Sequence, residues 1–259
     1  MRYPFCHISK IYAGRIDYAI QEKVILQTRR SKTRDYSLFV IACEGTKTEP
    51  SYFAPFDEID RIKVRLLEHS ATESAPSHIL ERAKLYIAEE GLDAKYGDSL
   101  WCVTDVDKWP IDMINELASF CMNTPNCHIS VSNPCFEIWL LYHKLSDLST
   151  IDCGKSHDVK VELSRLSPGG FFSLDYIKLM ETAIINAKAK DSNPGEQHFL
   201  PEIRETKVYA LAEALMDRIG KRRWTEFIDT ILEEYKKKMY LHLKYIVSKF
   251  NRISLHKKT

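Results

Sequence analysis

Leu38-Phe39-Val40-Ile41-Ala42-Cys43 runs straight into Glu44-Gly45, and the fold is read outward from that join. A short apolar run rich in branched and aromatic residues, closed by a glycine, reads as a buried β-strand. The pattern recurs twice. Leu100-Trp101-Cys102-Val103-Thr104 leads into Asp105-Val106-Asp107, and Cys127-His128-Ile129-Ser130-Val131 leads into Ser132-Asn133-Pro134-Cys135-Phe136-Glu137. Ile62 to Leu67 alternates as a further short strand. Between the strands lie helical patterns. One starts near Lys47, with Thr48 as N-cap and Pro50 in the first turn. A second covers 77–90 and stops at Gly91, a third covers 111–122, and a fourth opens at Pro134. Four alternations with short connections predict an α/β fold: a parallel sheet with right-handed crossovers, flanked by helices. Ligands of such sheets bind outside the carboxyl ends of the strands. Three strands that end in carboxylates therefore predict one acidic site, and crowded carboxylates call for a hard cation.

Beyond this core, from 36 to about 145, the strand signal fades. Helical patterns are expected at Val159 to Leu163, 173–190, 206–219 and 223–250, so 146–259 reads as a mainly helical region. Residues 1–35 read as an irregular basic arm that includes Arg29 and Arg30. The net charge of +1 conceals a polarity. Residues 1–35 hold eight Lys/Arg against three Asp/Glu, and 218–259 hold twelve against four. The middle holds seventeen against twenty-nine. An acidic centre between basic ends suits a metal-dependent enzyme acting on a polyanion; it also suits plain solvated surface at the ends.

Several classes are set aside. With 44% hydrophobic residues the chain can build a core and is not a disordered one. No stretch approaches the ~18–20 apolar residues of a membrane span, and the N-terminal residues lack a signal-peptide core. A cytoplasmic protein is expected. The seven cysteines are odd in number and lack C-x-x-C spacing, so neither a zinc site nor a disulfide framework is expected. Gly45-Thr46-Lys47-Thr48 lacks the first glycine of a P-loop.

Residue by residue, the chemistry has competing readings. Glu44, at a strand end before a turn glycine, can bind metal or carry a proton. Asp105 and Asp107, two apart in extended backbone, project to one side and suit Mg²⁺ or Mn²⁺. Turn or capping aspartates would look the same. Glu137 falls in the first turn of its helix, where the helix dipole alone could explain it. Lys47 and Lys108 each follow an acidic motif and could offset charge on a phosphate, or serve as ordinary ion-pair partners.

Glu-Gly after the first strand and Asp-x-Asp after the third resemble the Toprim domain of primases, topoisomerases and OLD-type nucleases. The fuller text is more specific. Phe39 to Phe53, Trp101 to Asp107 and Ser132 to Leu141 resemble three blocks of the RloB-like family. A weaker match continues through Ala187 and Thr206-Lys207-Val208-Tyr209. The resemblance implies a bacterial antiphage protein that accompanies an RloA-like ABC-type ATPase. It maps the family's metal site onto Glu44, Asp105 and Asp107, and places Glu49 and Glu137 within family blocks. The bulky Trp109 after Lys108 departs from other Toprim nucleases.

The expected function is metal-dependent phosphodiester cleavage of nucleic acid, with tRNA, other RNA and DNA all open as substrates. Glu44, Asp105, Asp107 and Lys108 are the catalytic candidates, and Glu44, Asp105, Asp107 and Glu137 the metal ligands. Lys47, Arg29, Arg30, Lys221, Arg222 and Arg223 are the candidates for holding substrate. A further copy of the chain is an additional expected partner, and a membrane is not. Two alternatives stay open: a non-catalytic nucleotide- or nucleic-acid-binding sensor subunit, and a primase-type nucleotidyl transferase.

Overall fold

A computed structural model describes residues 34–231 and 233. Four strands form one sheet: β1 (Ser37–Cys43), β2 (Ile62–Leu66), β3 (Ser99–Asp105) and β4 (Cys127–Ser132). Their order across the sheet is β2-β1-β3-β4, and every pairing is parallel. The chain goes outward from β1 to β2, then returns across β1 to place β3 on its other side. The order thus reverses between β1 and β3, and in open α/β sheets that crevice is where ligands bind. Cys43 pairs with Val103, and the Glu44 N–H donates to the Val103 carbonyl at 3.0 Å. The register therefore sets Glu44 level with Thr104, one residue before Asp105.

Strand periodicity divides the core in two. Phe39, Ile41, Cys43, Trp101 and Val103 face one side; Val40, Ala42, Leu100 and Cys102 face the other. The second face is covered by α2 (Pro76–Glu89) and α3 (Ile111–Asn123), through Ile79, Leu80, Ala83, Tyr86, Leu117 and Cys121. The first face joins α1 (Thr48–Phe53) and α4 (Glu137–Tyr142) to the helices that follow. These are α5 (Ser156–Leu166), α6 (Ser173–Ile177), α7 (Met180–Lys190) and α8 (Val208–Ile219). Residues 221–231 are helical as well. One hydrophobic cluster thus runs from the sheet into the C-terminal helices, and Trp139, with 0% exposure, lies within it.

His143 fastens this layer. Its ring Nδ1–H donates to the Trp139 carbonyl and its Nε2 accepts from the Tyr52 hydroxyl, both at 2.9 Å. Burial pushes its pKa down to about 3, so the ring stays neutral and one tautomer satisfies both bonds.

Three expectations need correction. Thr48 does not cap α1: it is the first helical residue, and no side chain caps the helix start at Lys47. Instead the Glu49 carboxylate reaches back and accepts the Gly45 N–H at 2.9 Å. Pro134 does not open a helix; it follows a cis peptide in a loop, its carbonyl accepts the Asp107 N–H, and α4 begins at Glu137. The helix expected over 173–190 is broken, because Leu179 leaves helical backbone and separates α6 from α7. The expected arm at 1–35 is described only for Arg34 and Asp35, and most of the helix expected to run to 250 lies outside the described residues.

Candidate metal centre

The loop after β4 must be held open at the sheet's carboxyl edge, and a distant segment does this. Ser132 forms an isolated antiparallel bridge with Thr206. The Asn133 N–H donates to the Glu205 carbonyl, the Arg204 N–H to Asn133, and the Lys207 N–H to Val131. Lys207 is itself anchored: its Nζ donates to both Asp191 oxygens at 2.6 and 2.7 Å and to the Asn193 carbonyl at 2.7 Å. This explains the Thr206-Lys207 block in the sequence, whose role is support.

At the crevice, Glu44, Asp105 and Asp107 each offer an oxygen within 4.8 Å of the others. Glu44 is 4% exposed and Asp105 8%. Glu44 Oε2 accepts from the Asp105 N–H at 3.1 Å and the Thr104 hydroxyl at 3.2 Å. Its Oε1 is buried with no hydrogen-bond partner among the described residues, and the Lys108 ammonium approaches it at 3.6 Å. Asp107, more exposed, accepts a short hydrogen bond from the Ser156 hydroxyl of α5. Burial raises the Asp105 pKa well above the carboxylate range, reinforced by the charges of Glu44, Glu49, Glu137 and Asp107.

A cleft of about 270 Å³ opens onto Glu44 and Asp105, lined also by Lys47, Glu49, Lys108, Glu137 and Lys160. A Cβ at Gly45 would sit 2.1 Å from Glu49 Oε2, so any side chain there would displace the Glu49 carboxylate from the Gly45 N–H. Burial, partly offset by hydrogen bonds to backbone N–H groups, raises the Glu49 pKa. Glu137 is buried and pairs with Lys160 at 3.7 Å. Burial disfavours the Lys160 charge, but Glu137, Asp105 and Asp107 outweigh it and raise the amine's pKa.

The structure therefore gathers Glu44, Asp105, Asp107, Lys108, Glu137 and Lys47 at one site. Lys221, Arg222 and Arg223 do not line it. Arg222 pairs with Glu226 at 3.8 Å, and Arg223 lines a different groove with Phe172 and Phe227. Arg29 and Arg30 lie outside the described residues. Sequence reading missed Ser156 and Lys160. They sit at i and i+4 of α5, which places both on one helix face. Their segment gave only a short ambiguous apolar pattern, with nothing to tie it to a strand end thirty or more residues earlier.

Residues 39–215 match the model of the RloB-like protein family. The chain belongs to the RloB-like family. No curated protein and no solved structure matches it.

The donor set fits a hard divalent cation. All three groups are carboxylates, and a buried carboxylate oxygen without a hydrogen-bond partner is costly unless something cationic meets it. Among the described residues, no helix is long and apolar enough to cross a membrane.

Proposed function

We propose that this RloB-like chain is a metal-dependent nuclease, with Mg²⁺ or Mn²⁺ held by Glu44, Asp105 and Asp107. The observation that carries the reading is the convergence of the Glu44, Asp105 and Asp107 carboxylates within 4.8 Å of one another, with Glu44 Oε1 buried and without a hydrogen-bond partner among the described residues. A bound divalent ion would supply Lewis-acid polarisation of a phosphate and a more acidic water. The protein's own residues do the rest. Thr104 and the Asp105 N–H fix the Glu44 carboxylate, so Oε1 keeps its aim into the cleft. Ser156 fixes Asp107 in the same way. Lys108, Lys47 and Lys160 ring the acidic floor with cations, which is what admits a phosphodiester to a site that would otherwise repel it. Glu44 completes the site, either as a metal ligand or as the group that carries a proton to the leaving oxygen.

The biological setting we propose is bacterial antiphage defence. The chain would act on tRNA, other RNA or DNA, and an RloA-like ABC-type ATPase would control it. The test is incubation with tRNA and DNA in Mg²⁺ or Mn²⁺, with and without the neighbouring ATPase. Cleavage that requires metal and disappears in Asp105→Ala supports the reading. Metal-dependent binding without cleavage under any of these conditions would favour a sensor subunit, and nucleotide addition to an end would favour a nucleotidyl transferase.

A further inference from the structure

On the other face of the sheet, three cysteines from three elements converge. Cys102 comes from the middle of β3, Cys121 from the last turn of α3, and Cys127 from the start of β4. All three are buried free thiols, and Cys102 has 0% exposure. Each offers a sulfur within 4.8 Å of the other two, and Cys121 Sγ and Cys127 Sγ are 3.5 Å apart. We propose that this triad is a second metal site, for one thiophilic d¹⁰ cation of the zinc(II) or copper(I) kind.

Geometry supports it first. Tetrahedral thiolates at about 2.3 Å from zinc lie about 3.8 Å from one another. The observed 3.5 Å between Cys121 and Cys127 and the 4.8 Å limit on the other two separations lie on either side of that value, so side-chain adjustment suffices to seat an ion. Ligand chemistry supports it next. Thiolates select soft cations, whereas the all-oxygen crevice on the opposite strand end selects hard ones. The two sites therefore do not compete for the same ion. Access supports it third. A cavity of about 150 Å³ is lined by both Cys121 and Cys127, with Thr124, Asn126, His128 and Glu196 around it. It gives an ion an approach to the sulfurs and leaves room for water as a fourth ligand of zinc; copper(I) is content with three sulfurs. The α3 C-terminus lends a further term, since helix carbonyl ends favour a nearby cation.

The C-x-x-C spacing rule fails to see this site because no two of its ligands are sequence neighbours. They are brought together by the β3–β4 pairing, with Cys102 opposite Ile129 and Cys127 opposite Leu100, and by α3 lying across that face.

The test uses the full reduced chain, freed of metal and titrated with cadmium(II). A sulfur-to-metal charge-transfer band should appear and saturate at one ion per chain, with release of thiol protons. Carboxylates give no such band, so ions entering the acidic crevice are not mistaken for this site. Cys127→Ser should weaken cadmium binding by about hundredfold or more, because a three-ligand site loses a third of its donors. Cys153→Ser, a buried cysteine outside the triad, should leave both band and stoichiometry unchanged. The wild-type titration stands alone if a variant fails to fold. Absence of the band at saturating cadmium, or X-ray absorption showing fewer than three sulfurs around the ion, overturns the proposal, as does a band that forms in Cys127→Ser with unchanged affinity.

Discussion

Asp105→Asn should stabilise the metal-free protein. Two unit charges at the 4.8 Å limit of the Glu44–Asp105 separation repel by about 3.5 kcal/mol at an effective dielectric of about 20. Proton uptake by Asp105 and the nearby Lys108 already relieve part of this, so the expected gain at pH 8 is about 1–3 kcal/mol. Each kcal/mol is about 2–4 °C of Tm in a chain of this size. The sign with pH follows from linkage. The folded-state pKa of Asp105 lies above its ordinary 3.8, so the folded state holds the proton more tightly than the unfolded one. Stability then falls as pH rises above about 3.8, until the folded-state pKa is passed. The variant escapes that fall, so its advantage should be absent at acid pH and grow toward neutrality. His143 works in the opposite direction, but it is present in both proteins and cancels in the difference. Metal reverses the comparison: at a hundredfold excess over Kd, Mn²⁺ should stabilise the wild type by about 2.7 kcal/mol and the variant by much less. Thermal melts in chelator and in Mn²⁺, at several pH values, read all of this. A variant that melts below the wild type in chelator at pH 8, or gains as much from Mn²⁺, would refute the reasoning.

Other outcomes follow from the same structure. Glu44→Gln should retain substrate binding and lose cleavage, since the amide keeps the shape without the charge; intact turnover at saturating substrate would contradict the role. Lys160→Ala should weaken nucleic-acid binding by about tenfold or more while leaving Mn²⁺ binding intact, as parallel titrations would show. Tyr52→Phe leaves His143 Nε2 without its donor and should cost about 1–3 kcal/mol in denaturant unfolding. Neutralising Lys221, Arg222 and Arg223 should reduce the log–log salt slope of binding by roughly 0.7–0.9 for each phosphate they neutralise. An unchanged slope would make them a docking face or plain surface.

Much of the fold and of the acidic site is legible in the amino-acid sequence. β1 and β3 declare themselves because a strand buried on both faces is apolar nearly throughout, and the carboxylates stand out where each apolar run stops. Glu44, Asp105 and Asp107 can be placed together because parallel topology sends all strand ends to one edge. Ser156 and Lys160 cannot, since their role depends on how α5 lies against the crevice, which no local pattern records. Thr48 misleads because a Thr before a Pro looks like a cap, while the loop amide is in fact taken by Glu49. The break at Leu179 is likewise set by packing, as both halves bury Tyr176, Ile177, Met180 and Ala183 in the same core.

The bridge from Ser132 to Thr206 has a consequence for how the protein is made. Asp107 and the Glu205–Lys207 strap are separated by about one hundred residues, which a ribosome adds in roughly 5–20 s. During that interval the β1–β3 crevice can form, but the loop after β4 has no partner for the Asn133 N–H or the Val131 carbonyl. The crevice should then lack the loop after β4, which the strap holds in place. Chains stopped at residue 195 and at residue 231 give the comparison. Slow amide exchange at Asn133 in the longer one alone is the expected result, and equal protection in both would show that the strap is dispensable.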